Sequence, residues 1–285
     1  MRATTLPDLS IRQLEYLVAV NEEPNWAAAA ERVGVSPSAL SQGLSELERR
    51  IGVALFDREG RRRVFRPAAA EVLAHARQVV ALTTDLAAWA ERSRTGASGR
   101  LRVGMIDAAA LGHYPDVIAR FREGHPTVEF RLQVSPSGEL LDELESGALD
   151  LALCVEPAAG RRGIWMERVM AEELAIITAG EAVPQDPKRW GPWVLFADGS
   201  HTRGVIERAL VELGAPVNVV TESNQPEVLR AMVALGEGWT VLPKVQAGDG
   251  LRVGRVIAHR NLVLARRDGA AIDPVAEMFA EAVLA

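Results

Sequence analysis

The sequence predicts a multidomain chain of mixed class: α+β in a small N-terminal unit, α/β in a larger C-terminal one, and a long helix joining them. Three observations predict it. Apolar residues recur at helical spacing through residues 10–51, an unbroken three-and-four repeat runs from Ala69 to Ala90, and beyond Gly99 short apolar runs alternate with helical segments. The 285 residues exceed the ~100–200 usual for one domain. With 48% hydrophobic and 25% charged residues, the composition is that of a folded globular protein.

The first helix runs from about Ser10 to Val20, with Ser10 as its cap and Ile11, Leu14, Leu17 and Val18 as its apolar face. Asn25 caps a second, Trp26 to Val33, in which Ala27 to Ala30 allow close packing and Gly34 is the stop. Ser36-Pro37 opens a third helix, because proline at the first helical position gives up no hydrogen bond. Its buried face reads Ala39, Leu40, Leu44, Leu47 and Ile51, with Ser38, Ser41, Gln42 and Ser45 toward the other side. A short helix, a tight turn and a second helix with exposed hydrogen-bonding side chains is the helix-turn-helix layout. Two short strands, Val53 to Phe56 and Val64 to Phe65, flank Arg61-Arg62-Arg63 as a wing.

Charge supports the same reading locally. The chain carries a formal −6, yet its first 66 residues hold ten arginines against nine acidic residues. Between Arg49 and Arg66 seven arginines face only Asp57 and Glu59. After a helix-turn-helix, such a cluster points to an anion.

These residues resemble the LysR-type regulator family. The match rests on Asn25-Trp26-x-x-Ala29-Ala30, Val35-Ser36-Pro37-Ser38-Ala39-Leu40-Ser41, Leu47-Glu48 and Gly52-Val53-Ala54-Leu55-Phe56-Asp57-Arg58. The resemblance implies a winged helix-turn-helix in residues 1–66 that contacts double-stranded DNA. The contacts it implies are Asn25, Ser36, Pro37, Ser38, Ser41, Gln42 and Ser45, with Arg58, Arg61, Arg62, Arg63 and Arg66 against the backbone or minor groove. Where relatives often have arginine, this chain has Gln42, which favours adenine edges. Where they end the wing on Leu-Thr, it has Phe65-Arg66, and Arg66 cannot cap the next helix as threonine would.

The connecting helix, residues 67–95, shows a heptad-like seam of Ala69, Val72, Ala76, Val79, Thr83, Leu86 and Ala90, with Leu73, Val80 and Ala87 beside it. The family's linker helix implies a dimer or tetramer through this segment. Ser93 to Gly99 reads as a flexible hinge.

In residues 96–285 strands are expected at Leu101–Gly104, Val128–Val134, Leu149–Val155, Leu174–Thr178, Val194–Phe196, Val217–Thr221, Gly238–Pro243 and Arg260–Leu264. Helices are expected near Leu111–Gly124 and Glu139–Ser146, after His201, and at Glu227–Leu235 and Pro274–Leu284. Such alternation implies parallel sheet. It resembles the family's regulatory domain, two periplasmic-binding-protein-like lobes with two crossing strands, the lobes being about residues 99–173 with 256–285, and 174–255.

In such sheets ligands sit at the carboxyl ends of strands. An effector cleft is therefore expected at Asp107, Ala108 and Ala109, at Ser135 and Ser137, at Ser200, His201, Thr202 and Arg203, at Ser223 and Asn224, and at Trp239. Asp107 either caps the helix that follows or takes the cation of an amine-bearing effector whose carboxylate meets Arg203.

Cys154 is the single cysteine, which excludes an intrachain disulfide and a two-cysteine redox switch and fits a reducing compartment. The five histidines show no metal-ligand spacing, and no phosphate loop, serine elbow or carboxylate pair appears. No cofactor and no catalytic residue is expected. Met1 to Asp8 lacks a leader pattern and no apolar run nears the ~18 residues of a membrane span, so a cytoplasmic chain with no membrane contact is expected. The function expected is operator binding modulated by a small-molecule effector, with RNA polymerase as a further partner. The competing readings are a solute-binding protein or an enzyme on the same two-lobed scaffold.

Overall fold

A computed structural model of the chain describes residues 8–59, 62–95, 99–269 and 273–285. The chain divides into two compact units, with the boundary at Glu91 and Arg92 inside its longest helix.

In the N-terminal unit, α1 (Ile11–Glu22), α2 (Trp26–Arg32) and α3 (Pro37–Ile51) pack around Leu17, Ala29, Leu40, Leu44 and Leu47. The caps are those the sequence predicts. The Asn25 carboxamide oxygen accepts from Ala27 and Ala28 N–H at 3.0 and 2.9 Å, and the Ser36 hydroxyl accepts from Ala39 N–H at 3.2 Å. Gly52 ends α3 at φ +71°, a left-handed conformation that costs glycine nothing. Ala39, expected in the buried face, is exposed, as are Pro37 and Ser38 before it in the first turn of α3, and burial begins at Leu40.

The wing pairs β1 (Phe56–Glu59) with β2 (Arg62–Phe65) antiparallel, Phe56 opposite Phe65. The first strand therefore starts three residues later than expected. The cause is Glu48, whose carboxylate accepts from the N–H groups of both Leu55 and Phe56, at 2.7 and 3.2 Å, and so holds residues 53–55 as a clamped loop. Phe56 then stacks edge-on with Trp26 at 5.2 Å and against Phe65 at 4.9 Å, which fixes the wing to α2. Next, α4 (Ala69–Thr95) buries Ala69, Leu73 and Ala76 in the same core. The helix includes Ser93 to Thr95, expected in the hinge; residues 96–98 of that hinge lie outside the described residues.

The C-terminal unit is a mixed sheet with two hydrophobic cores. β3 (Arg100–Met105) leads into a π-helical turn (Ala108–His113) and α5 (Pro115–Gly124), where one helix was expected from Leu111. Then follow β4 (Glu129–Val134), α6 (Ser137–Ser146), β5 (Leu151–Val155) and the long β6 (Ile164–Thr178). The second half holds β7 (Trp193–Leu195), α7 (His201–Glu212), β8 (Val219–Glu222), α8 (Pro226–Ala234) and β9 (Thr240–Pro243). The long β10 (Arg252–Arg267) and α9 (Pro274–Leu284) close the chain.

Six strands form one sheet in the order β4-β3-β5-β10-β6-β9, and β7 pairs with β8 in a separate two-stranded parallel sheet. β3 is parallel to β4 and to β5, as expected, but β10 runs antiparallel to β5 and β6, and β9 antiparallel to β6. β6 and β10 are the two crossing strands that the resemblance implies: they carry the chain from one lobe to the other and back, and each is more than twice as long as the apolar run that marked it. Their charged alternation, Glu167, Arg168, Glu172 and Glu173 in one and Arg252, Arg255, His259 and Arg260 in the other, hid them from an apolar-run reading.

One core gathers Leu101, Leu141, Leu153, Leu264 and Phe279, with Phe121, Phe130 and Phe279 meeting at 5.0–5.6 Å. The other gathers Ile176, Trp193, Ile206, Leu229 and Leu242.

Leu44 is fully buried in α3 while Gln42, two residues before it, is exposed. Leu44→Ala is expected to cost roughly 2–5 kcal/mol of N-terminal-unit stability, and Gln42→Ala within about 0.5 kcal/mol of nothing, by urea denaturation followed by circular dichroism.

Candidate functional sites

In the N-terminal unit α3 divides into two faces. Leu40, Leu44 and Leu47 have no exposed surface, whereas Pro37, Ser38, Gln42 and Ser45 are exposed and Ser41 is half-buried. Ser36 is exposed too, with its hydroxyl engaged in the cap and 2.9 Å from that of Ser38. Asn25 is exposed at the start of α2.

The arginine cluster is less free than the sequence suggests. Arg49 and Arg50 both donate to Glu46, with Nε contacts of 2.6 Å, and these two donors hold the Glu46 carboxyl down at about 2. Glu46 lies three and four positions upstream, one helical turn away, and just outside the cluster as read from the sequence. Arg66 donates through Nε to Asp57 at 2.8 Å, and its carbonyl, rather than its side chain, receives the Ala69 N–H at the start of α4. Exposed pairs of this kind contribute little net stability, so an external anion can compete for their arginines. Arg61 lies outside the described residues, as do the side chains of Arg58, Arg62 and Arg63.

In the C-terminal unit a cavity of about 480 Å³ opens between the two lobes. It lies at the carboxyl ends of β3, β4, β7 and β8, where the topological rule put it. Of the expected residues it brings together Asp107, Ser135, Ser137, Ser200, Thr202 and Asn224. The N-terminal ends of α6, α7 and α8 and of the π-helical turn meet at its wall, so backbone dipoles present partial positive charge there. The Ser137 hydroxyl accepts from Val155 N–H at 3.1 Å and joins the end of β5 to the start of α6.

The remaining expected residues do not line this cavity. Ala108 and Ala109 are buried, and their N–H groups are spent on the Asp107 carboxylate and the Ile106 carbonyl. His201 donates through Nδ1 to the Val155 carbonyl at 3.1 Å, and the Ser223 hydroxyl accepts from Gln225 N–H. Trp239 packs edge-on with Trp193 in the second core and donates through Nε1 to Glu181. Arg203, expected to hold a carboxylate, is consumed internally by Glu207 at 2.7 Å, the Phe196 carbonyl at 2.7 Å and Glu222 at 3.2 Å. Asp107 caps the following turn through Oδ1 at 2.8 Å.

The cation at the cavity is instead Arg260, in the middle of β10. It is 3% exposed and donates through Nε to Glu172 at 2.6 Å and through Nη1 to the Thr202 hydroxyl at 2.7 Å. The other oxygen of Glu172 receives His113 Nε2 at 2.6 Å. Its neighbour Asn261 faces the other side of the sheet and donates to Glu156; that bond, with one from Arg168, lowers the Glu156 carboxyl below its ordinary range. Sequence reasoning missed Arg260 because its partners lie 88 and 58 positions away and nothing local marks it.

A helix-turn-helix unit followed by a two-lobed unit with a cavity between its lobes is the build of a ligand-responsive DNA-binding regulator. Comparison with known proteins places it more closely. Residues 11–70 match the family described as bacterial regulatory helix-turn-helix protein, lysR family, and residues 94–285 match the LysR substrate binding domain. The chain belongs to the LysR family, and is a DNA-binding transcription regulator with an effector-binding domain.

It is 27% identical to the uncharacterized HTH-type transcriptional regulator YfeR of Shigella flexneri, over 94% of this chain and 91% of that protein. It is 28% identical to the DNA-binding transcriptional dual regulator OxyR of Escherichia coli K12, over 97% and 95%. In fold it is similar to a full-length OxyR variant from Pseudomonas aeruginosa, with a TM-score of 0.69 at 22% identity over 96% and 94% of the two chains. It is similar also to CbnR complexed with its target DNA, with a TM-score of 0.60 at 21% identity over 96% and 99%. Among the described residues no helix is long and apolar enough to cross a membrane.

Cys154 sits fully buried in β5, opposite Val263 of β10, and burial pushes its thiol up to about 12 against the weaker opposing charge of Arg161. The thiolate is the reactive form, and at pH 8 it is about one part in ten thousand of such a thiol. A chromogenic disulfide reagent is therefore expected to find no reactive thiol in the native chain at pH 8 and one in denaturant. Rapid titration of the native chain would contradict this burial.

Proposed function

We propose that this chain binds operator DNA through the exposed face of α3 and the wing, and that a small molecule entering the cavity between the lobes modulates that binding. The observation that carries the DNA reading is the division of α3, with leucines sealed in the core on one side and Ser38, Gln42 and Ser45 presented to solvent on the other. A carboxamide at Gln42 can pair with the edge of adenine in the major groove. The working division is residues 1–66 for DNA, 67–95 for assembly and 96–285 for the effector, with lobes of about 99–173 plus 256–285 and 174–255. We assign no catalytic role and place its action in the cytoplasm, where its DNA is.

The experiment is a gel shift of the full chain on the DNA upstream of its own gene, titrated with salt. The logarithm of affinity is expected to fall linearly with that of salt concentration, and Arg62→Ala or Arg63→Ala to reduce the slope by about 1 each. Gln42→Ala is expected to weaken the specific complex by roughly 1–3 kcal/mol, about five- to 150-fold, with little effect on non-specific DNA. Failure to bind any duplex, or binding without a salt slope, removes the reading.

Assembly is assigned to α4. Val79 and Leu86 lie seven residues apart on it and are 39% and 60% exposed, too much apolar surface along one stripe for an isolated helix. The α4 helix of a second copy covers them in this reading, making a dimer or the half of a tetramer. Leu86→Arg is expected to lower the mass measured by light scattering toward that of the single chain. An unchanged mass moves the interface elsewhere.

A further inference from the structure

We infer that the ligand of the interlobe cavity is a zwitterion, a small amino-acid-like molecule, with its carboxylate held at Arg260 and Thr202 and its ammonium at Asp107 and Glu139. The inference rests on the reading of this cavity as the effector site and adds the chemical class of the effector.

The first ground is an unmet donor. Arg260 borders the cavity and is 3% exposed, and its Nη2 has no hydrogen-bond partner among the described residues although Nε and Nη1 are both engaged. A buried N–H without an acceptor is unfavourable, and an arginine fork with one arm left over is shaped for a carboxylate oxygen. The hydroxyl of Thr202 accepts from Nη1 and still has its own proton to donate, so a second oxygen finds a donor beside the first. Three helices of nine to twelve residues, α6, α7 and α8, start at the same wall and add partial positive charge.

The second ground is charge balance. Arg260 is the one cation among the described lining residues, and Glu172 already balances it. Asp107, Glu139 and Glu227 line the same cavity. A simple anion would meet Arg260 but face Asp107 and Glu139, with Glu227 held 3.7 Å from Arg230, and a simple cation would leave Nη2 unmet. A molecule with both charges satisfies each side. Asp107 caps with Oδ1 alone, which leaves Oδ2 for an ammonium. Nη2 is shielded from solvent in this arrangement, so its engagement by a ligand requires the groups that cover it to move.

The test is thermal shift and titration calorimetry on the full chain with matched sets, each one of the twenty common L-amino acids, its decarboxylated amine and its deaminated acid. At least one amino acid is expected to raise the melting temperature, with its amine and its acid bound roughly tenfold to a hundredfold more weakly. Arg260→Lys, which keeps the charge and loses the fork, and Thr202→Val are expected to cost on the order of tenfold in affinity for the amino acid. The double variant Arg260→Gln/Glu172→Gln removes the site without stranding a buried charge, and is expected to remain folded and to lose binding. Asp107→Asn, which still caps, is expected to weaken the amino acid and leave its deaminated acid unchanged.

An acid or amine that binds as tightly as its amino acid overturns the zwitterion and, if the double variant abolishes its binding, leaves the cavity as the effector site. Binding that survives the double variant overturns both. A panel in which no amino acid shifts the melting temperature also overturns the zwitterion, and the gel shift on the same samples shows separately whether the DNA-binding reading stands.

Discussion

The antiparallel pairing of β6 with β10 runs from Ile164 opposite Arg267 at one end to Thr178 opposite Arg252 at the other, and both halves of the C-terminal unit hang from it. Met166, Leu262 and Leu264 belong to one core, Ile176, Ile177 and Ile257 to the other, and the change of side falls where Glu172 faces Arg260. The ladder is interrupted by register shifts between Val253 and Val256, between Val256 and Ala258 and between Leu262 and Val263. Such bulges bend and twist a ribbon, so two cores hung on it can alter their opening without breaking a strand. The cavity is the space that opening defines, and strand ends with helix starts line it because the connections after β3, β4, β7 and β8 all reach its wall.

The N-terminal unit depends on a different constraint. Glu48 collects the N–H groups of Leu55 and Phe56 and so ties the loop after α3 back onto the helix that precedes it. Phe56 is thereby delivered to Trp26 and Phe65. One carboxylate in the last turns of α3 thus sets where the wing begins relative to the exposed Ser38, Gln42 and Ser45. In the proposed DNA complex, two surfaces that meet one stretch of duplex need that fixed relation, since a contact misplaced by a residue reads the wrong base or no base.

What was legible in the sequence follows the range of the interactions. Helix bounds at Asn25, Ser36 and Gly52 were readable because a cap is made within three or four residues. The topological rule located the cavity and six of its lining residues, because strand ends and helix starts are local features too. The wing shifted by three residues because its start depends on Glu48, seven positions upstream of Leu55, and the free charge of the arginine cluster was overestimated because Glu46 reaches forward to Arg49 and Arg50. The crossing strands were truncated because they are half-solvated, with charged residues where a buried strand has valine. Arg203 and Arg260 mark the limit. Both are buried arginines near the cavity, and only tertiary contacts decide that the first is exhausted by its own lobe and the second keeps a donor unspent.

That unspent donor sits in a network spanning both lobes. Arg260 ties β10 to Thr202 at the start of α7 in one lobe and to Glu172 on β6, and Glu172 passes the connection to His113 in the π-helical turn of the other. Arg260 and Glu172 are 3% and 4% exposed, so the ion pair was desolvated on folding and its partners matter more than they would at the surface. A buried unsatisfied donor disfavours its arrangement by about 1–3 kcal/mol, which is also the size of a typical coupling between two sites. An arrangement of the lobes that brings an acceptor to Nη2 recovers that energy, and a ligand able to supply the acceptor biases the lobes by the same amount. The strain that a regulator needs between two states can therefore reside in one guanidinium at the point where the crossing strands exchange cores.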